Sequence, residues 1–275
     1  MDYDDVLANM TRWTGSEDNV RALVLTGSAA AGTTHPLSDR DIEVYVTDVA
    51  APLTDDSWWS VLGEVLVVER LHAPGWYPSR IVYYVGGKLD LSVIRVQELR
   101  AVVHDRPFVV LLDKDDRTGE LALGRPQQSL PSAAEFDQAL HWGYAAALMC
   151  AKAVVREEMR MAKVRDQGLK EQLLLLIEWD HRLRYGPDVD TRYLGTRIWQ
   201  WMDVDVQDAL RHCWRHFDAE DTAVALRAAV RLFADLSLRI AGQLGYAPFH
   251  HARLHVEIDD ILSRRTEPSA HRNNQ

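Results

Sequence analysis

LTGSAAAGTTHPLSDRDIEVYV, residues 25–46, is the segment on which the reading of this chain turns. Its apolar start closes the run VRALVLT from Val20, aliphatic and β-branched as a buried strand requires. Gly27-Ser28 then makes a tight turn into a short helix. Gly27 can adopt a positive φ and lets the backbone come close to a phosphate. The Ser28 hydroxyl and the N–H groups at the helix start would face a bound anion. Asp39-Arg40-Asp41 heads a second run, DIEVYV. Side chains alternate along a strand, so Asp39 and Asp41 project from one face. Two carboxylates there can share a divalent cation, and oxygen donors with open water positions suit Mg²⁺ together with triphosphate oxygens.

A site for two metal ions needs a third carboxylate. Asp90 lies in KLDLSVIRV between Leu89 and Leu91, and a charge with apolar neighbours in mid-strand is costly unless paired or metal-bound. If this strand lies beside that of Asp41, Asp90 completes the cluster. It could then bind metal and take the proton of an acceptor hydroxyl. In-line phosphoryl transfer needs little else: metals position the triphosphate, neutralise charge and activate the nucleophile.

Outward from this segment the chain has two textures. Residues 1–130 alternate strand-like runs with short helices; further runs are EVLVVERL from Glu64, RIVYYV from Arg80 and FVVLL from Phe108. From Pro131 the apolar spacing becomes three and four, as in Leu140, Tyr144, Ala147 and Leu148. Helices are expected over about 132–162, 167–184, 204–217, 220–246 and 253–263, with Pro131-Ser132 as a start and Tyr185-Gly186-Pro187 as a stop. GELALGRPQQSLP, from Gly119, reads as the linker. The expected architecture is an α/β N-terminal domain, a mixed sheet with flanking helices over residues 1–130, followed by an all-α helical domain over 131–265 and a tail over 266–275.

Composition bounds the function. The 275 residues are 47% hydrophobic and 26% charged, with a formal net charge of -10, so a folded core is expected. An acidic chain repels nucleic acid and anionic lipid and attracts a cationic ligand. Nucleic-acid and membrane partners are therefore not expected. Cys150 and Cys213 lie in apolar-periodic stretches, which fits a reducing cytoplasm. No apolar run approaches the length of a membrane span.

Gly27-Ser28, Gly32 and Ser38-Asp39-Arg40-Asp41 together resemble the DNA-polymerase-β-type nucleotidyltransferase superfamily. Asp90-Leu91-Ser92, the run Val110 to Asp115, and a helical stretch with Ala151-Lys152, Arg156, Glu158, Lys170-Glu171, Leu173-Leu174 and Trp179 are similar to the streptomycin (aminoglycoside 6-) adenylyltransferases. So is Arg192-Tyr193-Leu194. The resemblance covers most of residues 20–200 and implies transfer of AMP from ATP to a hydroxyl of an aminoglycoside, in a cleft between a catalytic and a helical domain. It implies Mg²⁺ on Asp39, Asp41 and Asp90, and nucleotide contacts from Gly27, Ser28, Arg40, Lys152 and Arg156. Ala29 stands where family members often carry a basic residue.

Acceptor contacts are less determined. Glu69, Glu178, Asp180 and Asp188 are acidic candidates for ammonium groups. Glu178 and Asp180 point to different faces of a helix, and Asp180 is preferred. Trp76, in the loop APGWYPS, would flank the acceptor. His250, His251 and His255 lack the carboxylate motif of zinc proteases and are not read as a metal site. The alternative functions are the same chemistry on a lincosamide or other natural product, or a regulatory or toxin–antitoxin nucleotidyltransferase.

Overall fold

The computed structural model describes residues 1–55, 57–124, 129–186, 189–191, 195 and 197–265. The chain divides into two units, 1–126 and 127–275.

The first unit begins with α1, Tyr3–Ser16, whose N-cap Asp2 accepts hydrogen bonds from the Asp4 and Asp5 amides. Strand β1 covers Val20–Thr26, and α2 is the single turn Gly27–Ala30. β2 covers Arg40–Val46, α3 Ala50–Thr54, β3 Val65–Leu71, β4 Ser79–Tyr84 and β5 Gly87–Arg95. β6 is Val103–His104, β7 Val109–Asp113 and β8 Ala122–Leu123. Six strands form a sheet in the order β3-β4-β5-β2-β1-β7; β6 and β8 form a short separate ladder. Among the described residues only β2 and β5 pair in parallel within the large sheet, so the expected mixed sheet is present.

Strand alternation explains the two faces. Leu23, Leu25, Ile42, Val44, Val46, Leu89, Leu91 and Val93 share one core with Val6 and Met10 of α1 and with Trp58 and Trp59. Trp13 stacks on Trp58 at 5.0 Å between centroids. The residues between them face the other way. Ala22, Val24, Tyr45 and Ile94 pack there against Val96 and Leu99. That second core covers one end of the face. The other end, where β2 and β5 begin, carries polar side chains.

The second unit is helical. α4, Ala133–Val155, opens with a capping box in which Ser132 and Glu135 satisfy each other's amides. The expected helix over 132–162 is broken here. Glu157 takes φ 57, the left-handed conformation usual after a helix C-terminus, and α5 runs Met159–Tyr185. Apolar periodicity continues through the reversal and no Gly or Pro marks it, so the sequence pattern conceals the turn. α6 covers Ile198–Trp201, α7 Val204–Arg211, α8 Ala219–Leu244 and α9 His251–Ser263. Their core is built on Phe136, Leu140, Leu173, Ile177, Leu226 and Phe233. His251 is buried, with Nδ1 2.6 Å from the Tyr144 hydroxyl and Nε2 3.0 Å from Ser237 Oγ, which makes it a packing residue. No helix among the described residues is long and apolar enough to cross a membrane. Asp188, Arg192-Tyr193-Leu194, the middle of the linker and the tail over 266–275 lie outside the described residues.

Candidate active site

The parallel register of β2 and β5 places Asp41 opposite Asp90. Register partners share a face, so the two carboxylates stand side by side on the polar end. Continuing across the sheet, Thr26 pairs with Asp41, Ile81 with Asp90, and Glu69 with Ile81. One cross-strand row therefore reads Thr26, Asp41, Asp90, Ile81, Glu69. Asp39 immediately precedes β2, two residues from Asp41.

Lys88 joins the outer members. Its Nζ is 2.6 Å from Asp39 Oδ2 and 3.1 Å from each oxygen of Asp90. Only Oδ2 of Asp90 has hydrogen-bond geometry to it, and Oδ1 is buried with no hydrogen bond. Among the described residues, no three His, Cys, Asp or Glu side chains converge as they stand to hold an ion. The ammonium of Lys88 lies between Asp39 and Asp90.

The electrostatics follow from the crowding. Burial, reinforced by the charges of Asp39 and Asp90, pushes Asp41 up to about 6; Lys88 and Arg106 oppose the shift. Burial also raises Asp90, against the hydrogen bond from Lys88. For Lys88 burial acts downward, but its bonds to Asp39 and Asp90 outweigh it and hold the ammonium above its ordinary range.

The turn before α2 is shaped by Asp41. Gly27 has φ +67, and a Cβ added there would overlap the Asp41 carboxylate. Any side chain at 27 would thus collide with the acid that the site is built on. Ser28 is half-buried, and its carbonyl accepts from the Thr33 amide at 3.0 Å.

The family model for streptomycin adenylyltransferase matches residues 2–257. The chain belongs to this family. It is a nucleotidyltransferase. An aminoglycoside 6-adenylyltransferase of Campylobacter jejuni is 22% identical over 270 residues, 88% of each chain. That of Bacillus subtilis (strain 168) is 24% identical over 209 residues, 67% of this chain and 74% of the relative. That of Staphylococcus aureus is 25% identical over 191 residues, 64% and 68% respectively. A crystal structure of an aminoglycoside 6-adenyltransferase from Bacillus subtilis aligns over 93% of this chain and 98% of its own, at 18% identity and a TM-score of 0.47.

The remaining expected site residues of this nucleotidyltransferase are placed as follows. Arg40 points to the α1 side, 4.0 Å over the Tyr3 ring, and donates to the carbonyls of Ser38 and Asp39. It holds the backbone that carries Asp39. Trp76 is 80% exposed, and the adjacent Tyr77 is raised by burial and by the charges of Glu98 and Glu43. Glu69 is exposed, and its Oε1 accepts from the Tyr83 hydroxyl at 3.1 Å.

In the helical unit, Lys152 is exposed in the last turn of α4, and Arg156 at its C-cap pairs with Glu158. Glu178 is raised by burial, against Arg182 and a hydrogen bond from Thr191. Asp180 is 1% exposed, and its Oδ2 accepts from Arg184 at 2.7 Å and Arg239 at 3.1 Å. It is buried against guanidinium groups of its own chain, in place of the acceptor ammonium expected there. The helical pattern shows that Arg184 lies one turn from Asp180, but not that Arg239 reaches the same oxygen.

Three residues at the site went unread in the sequence. Lys88 had a local signal, since a residue two before Asp90 must share its face. Glu43, two after Asp41, had the same signal; its Oε2 accepts from the Tyr45 hydroxyl at 2.7 Å and lies 2.9 Å from His104 Nε2. Arg106, whose charge acts on Asp41, had none, because it lies in a loop brought there by the fold.

Proposed function

We propose that this nucleotidyltransferase transfers AMP from ATP to a hydroxyl of an aminoglycoside, with Mg²⁺ held by Asp39, Asp41 and Asp90. The observation that carries the reading is the pairing of Asp41 with Asp90 beside the Gly27 turn, with Asp39 linked to Asp90 through Lys88. The donor set fits the ion. All three groups are hard carboxylate oxygens, Asp90 Oδ1 lacks a hydrogen bond, and burial, with the neighbouring carboxylate charges added to it, raises the proton affinity of both Asp41 and Asp90. A divalent cation bound there supplies charge neutralisation for the triphosphate and acidifies the attacking hydroxyl.

The chain's own groups do the rest. Gly27 leaves Asp41 its place, and Arg40 and Tyr3 fix the strand start that carries Asp39. The Ser28 hydroxyl and adjoining amides offer donors to phosphate. The acceptor oxygen attacks the α-phosphorus, the bond to the β-phosphate bridging oxygen breaks, and pyrophosphate leaves. The hydroxyl proton passes to Asp90, the carboxylate that lies beside Asp41 across the strands. Glu69, in the same row, and exposed Trp76 suit an acceptor that carries several ammonium groups and sugar rings. The net charge of -10 and the acceptor class of the relatives support the same class here.

The test is incubation with α-labelled ATP, Mg²⁺ and streptomycin, a second aminoglycoside or lincomycin. Label should appear on an aminoglycoside and vanish with EDTA. Label on lincomycin alone would refute the acceptor, and full transfer in EDTA would refute the metal.

A further inference from the structure

Lys88 stands at this site although the proposed chemistry does not require it, and it contacts two of the three carboxylates. The register of β2 and β5 pairs Arg40 with Leu89, so one step earlier Asp39 and Lys88 face each other across the strands. The Lys88 ammonium reaches Asp39 on one side and both oxygens of Asp90 on the other. The ammonium donates a hydrogen bond to Asp90 Oδ2 and lies as close to Asp90 Oδ1 and closer to Asp39 Oδ2, so its charge sits among three carboxylate oxygens, as that of a bound cation would.

Resting on the reading above, we propose that Lys88 is the resident counter-cation of the carboxylate cluster: it holds Asp39 and Asp90 in place before metal binds and must leave when a divalent ion enters. A monovalent and a divalent cation compete for those oxygens, because both need the same lone pairs and like charges a few ångströms apart repel. The ammonium keeps its proton and exchanges partners only. Its side chain is 26% exposed, and the stem is long and unbranched, so it can swing away. The Tyr83 ring centroid lies 5.7 Å from Nζ, and Glu69 accepts from the Tyr83 hydroxyl. That aromatic face with an adjacent carboxylate gives the displaced ammonium a second seat. The consequence is functional. Free divalent ions must compete with Lys88, so the site loads poorly alone and fills when a nucleotide brings its metal.

The experiment is calorimetric titration of Mn²⁺ into the chelator-stripped protein, without nucleotide, for the wild type and for Lys88→Met, Lys88→Gln and Lys88→Arg. Loss of two partly exposed ion pairs as a competitor should tighten Mn²⁺ binding by about tenfold in the Met and Gln variants. Lys88→Arg keeps the charge and should stay within about twofold of the wild type. In EDTA the Met variant should melt below the wild type, and saturating Mn²⁺ should raise its melting temperature by more. Two neutral variants guard against misfolding of one. Equal or weaker Mn²⁺ binding in both, with binding retained in the wild type, overturns the role of Lys88 and leaves the metal reading standing. If no form binds Mn²⁺ and transfer runs in EDTA, the metal reading falls and the role of Lys88 falls with it.

Discussion

Asp41→Asn should abolish transfer and yet stabilise the metal-free protein at neutral and alkaline pH. Asp41 is raised from 3.8 to about 6 by burial and by the charges of Asp39 and Asp90. A carboxyl raised in this way binds its proton more readily in the folded state. It favours folding below about pH 4, and that contribution is lost as pH rises through 6. The full shift corresponds to about 3 kcal/mol at pH 8. Partial exposure and coupling to Asp90 reduce this to about 1–3 kcal/mol. Asn keeps the shape beside Gly27 and removes the charge, and Lys88 loses neither of its partners, Asp39 and Asp90. At roughly 3–4 °C per kcal/mol for a unit of this size, the variant should melt about 3–12 °C above the wild type at pH 8 in EDTA. The gap should close toward pH 4. Circular dichroism melts from pH 4 to 8, with EDTA and then with excess Mg²⁺, measure it. An Asp41→Asn protein that melts at or below the wild type at pH 8 in EDTA would refute the argument that this carboxylate is held in place against its own repulsion.

Gly27→Ala should lower transfer by about a hundredfold or more, since its Cβ displaces the Asp41 carboxylate, and it should lower the melting temperature because φ +67 strains any side chain; full activity would mean that Asp41 need not sit against the turn. Glu69→Gln should raise the acceptor's KM several-fold with kcat little changed, and should flatten the rise of KM with salt, because screening acts on charges about 8 Å apart at physiological salt; a salt profile unchanged from the wild type would remove Glu69 from the acceptor site. Asp180→Asn leaves Arg184, which keeps Asp203, and Arg239 without their shared carboxylate and, both guanidinium groups being partly exposed, should destabilise the helical unit by about 1–3 kcal/mol, read by denaturant melts. Unchanged stability with a raised acceptor KM would instead give Asp180 the acceptor role.

The local parts of this protein were legible in its sequence. Alternation in KLDLSVIRV sends Leu89, Leu91 and Val93 into the core and Asp90 to the other face, and no folding information beyond the strand is needed for that. The same holds for the capping box at Ser132 and for the Gly27 turn, whose positive φ only glycine adopts without cost. The helical texture after Pro131 is likewise a property of spacing. What spacing cannot supply is which strand lies beside which, or which charge meets which. That β5 pairs in parallel with β2, placing Asp90 beside Asp41, depends on a crossover through two intervening strands. Lys88 was visible as a strand lysine, but its position between Asp39 and Asp90 exists only once that register is set. The reversal at Glu157 was hidden because the apolar period runs on through it, and packing of α4 against α5 selects a conformation that local preference disfavours. Asp180 was visible as a helix carboxylate, but Arg239 comes from 59 residues away to occupy it. Local conformation follows from backbone sterics and the spacing of apolar side chains within a few residues, whereas the pairing of charges is fixed by long-range burial that brings distant segments to one place.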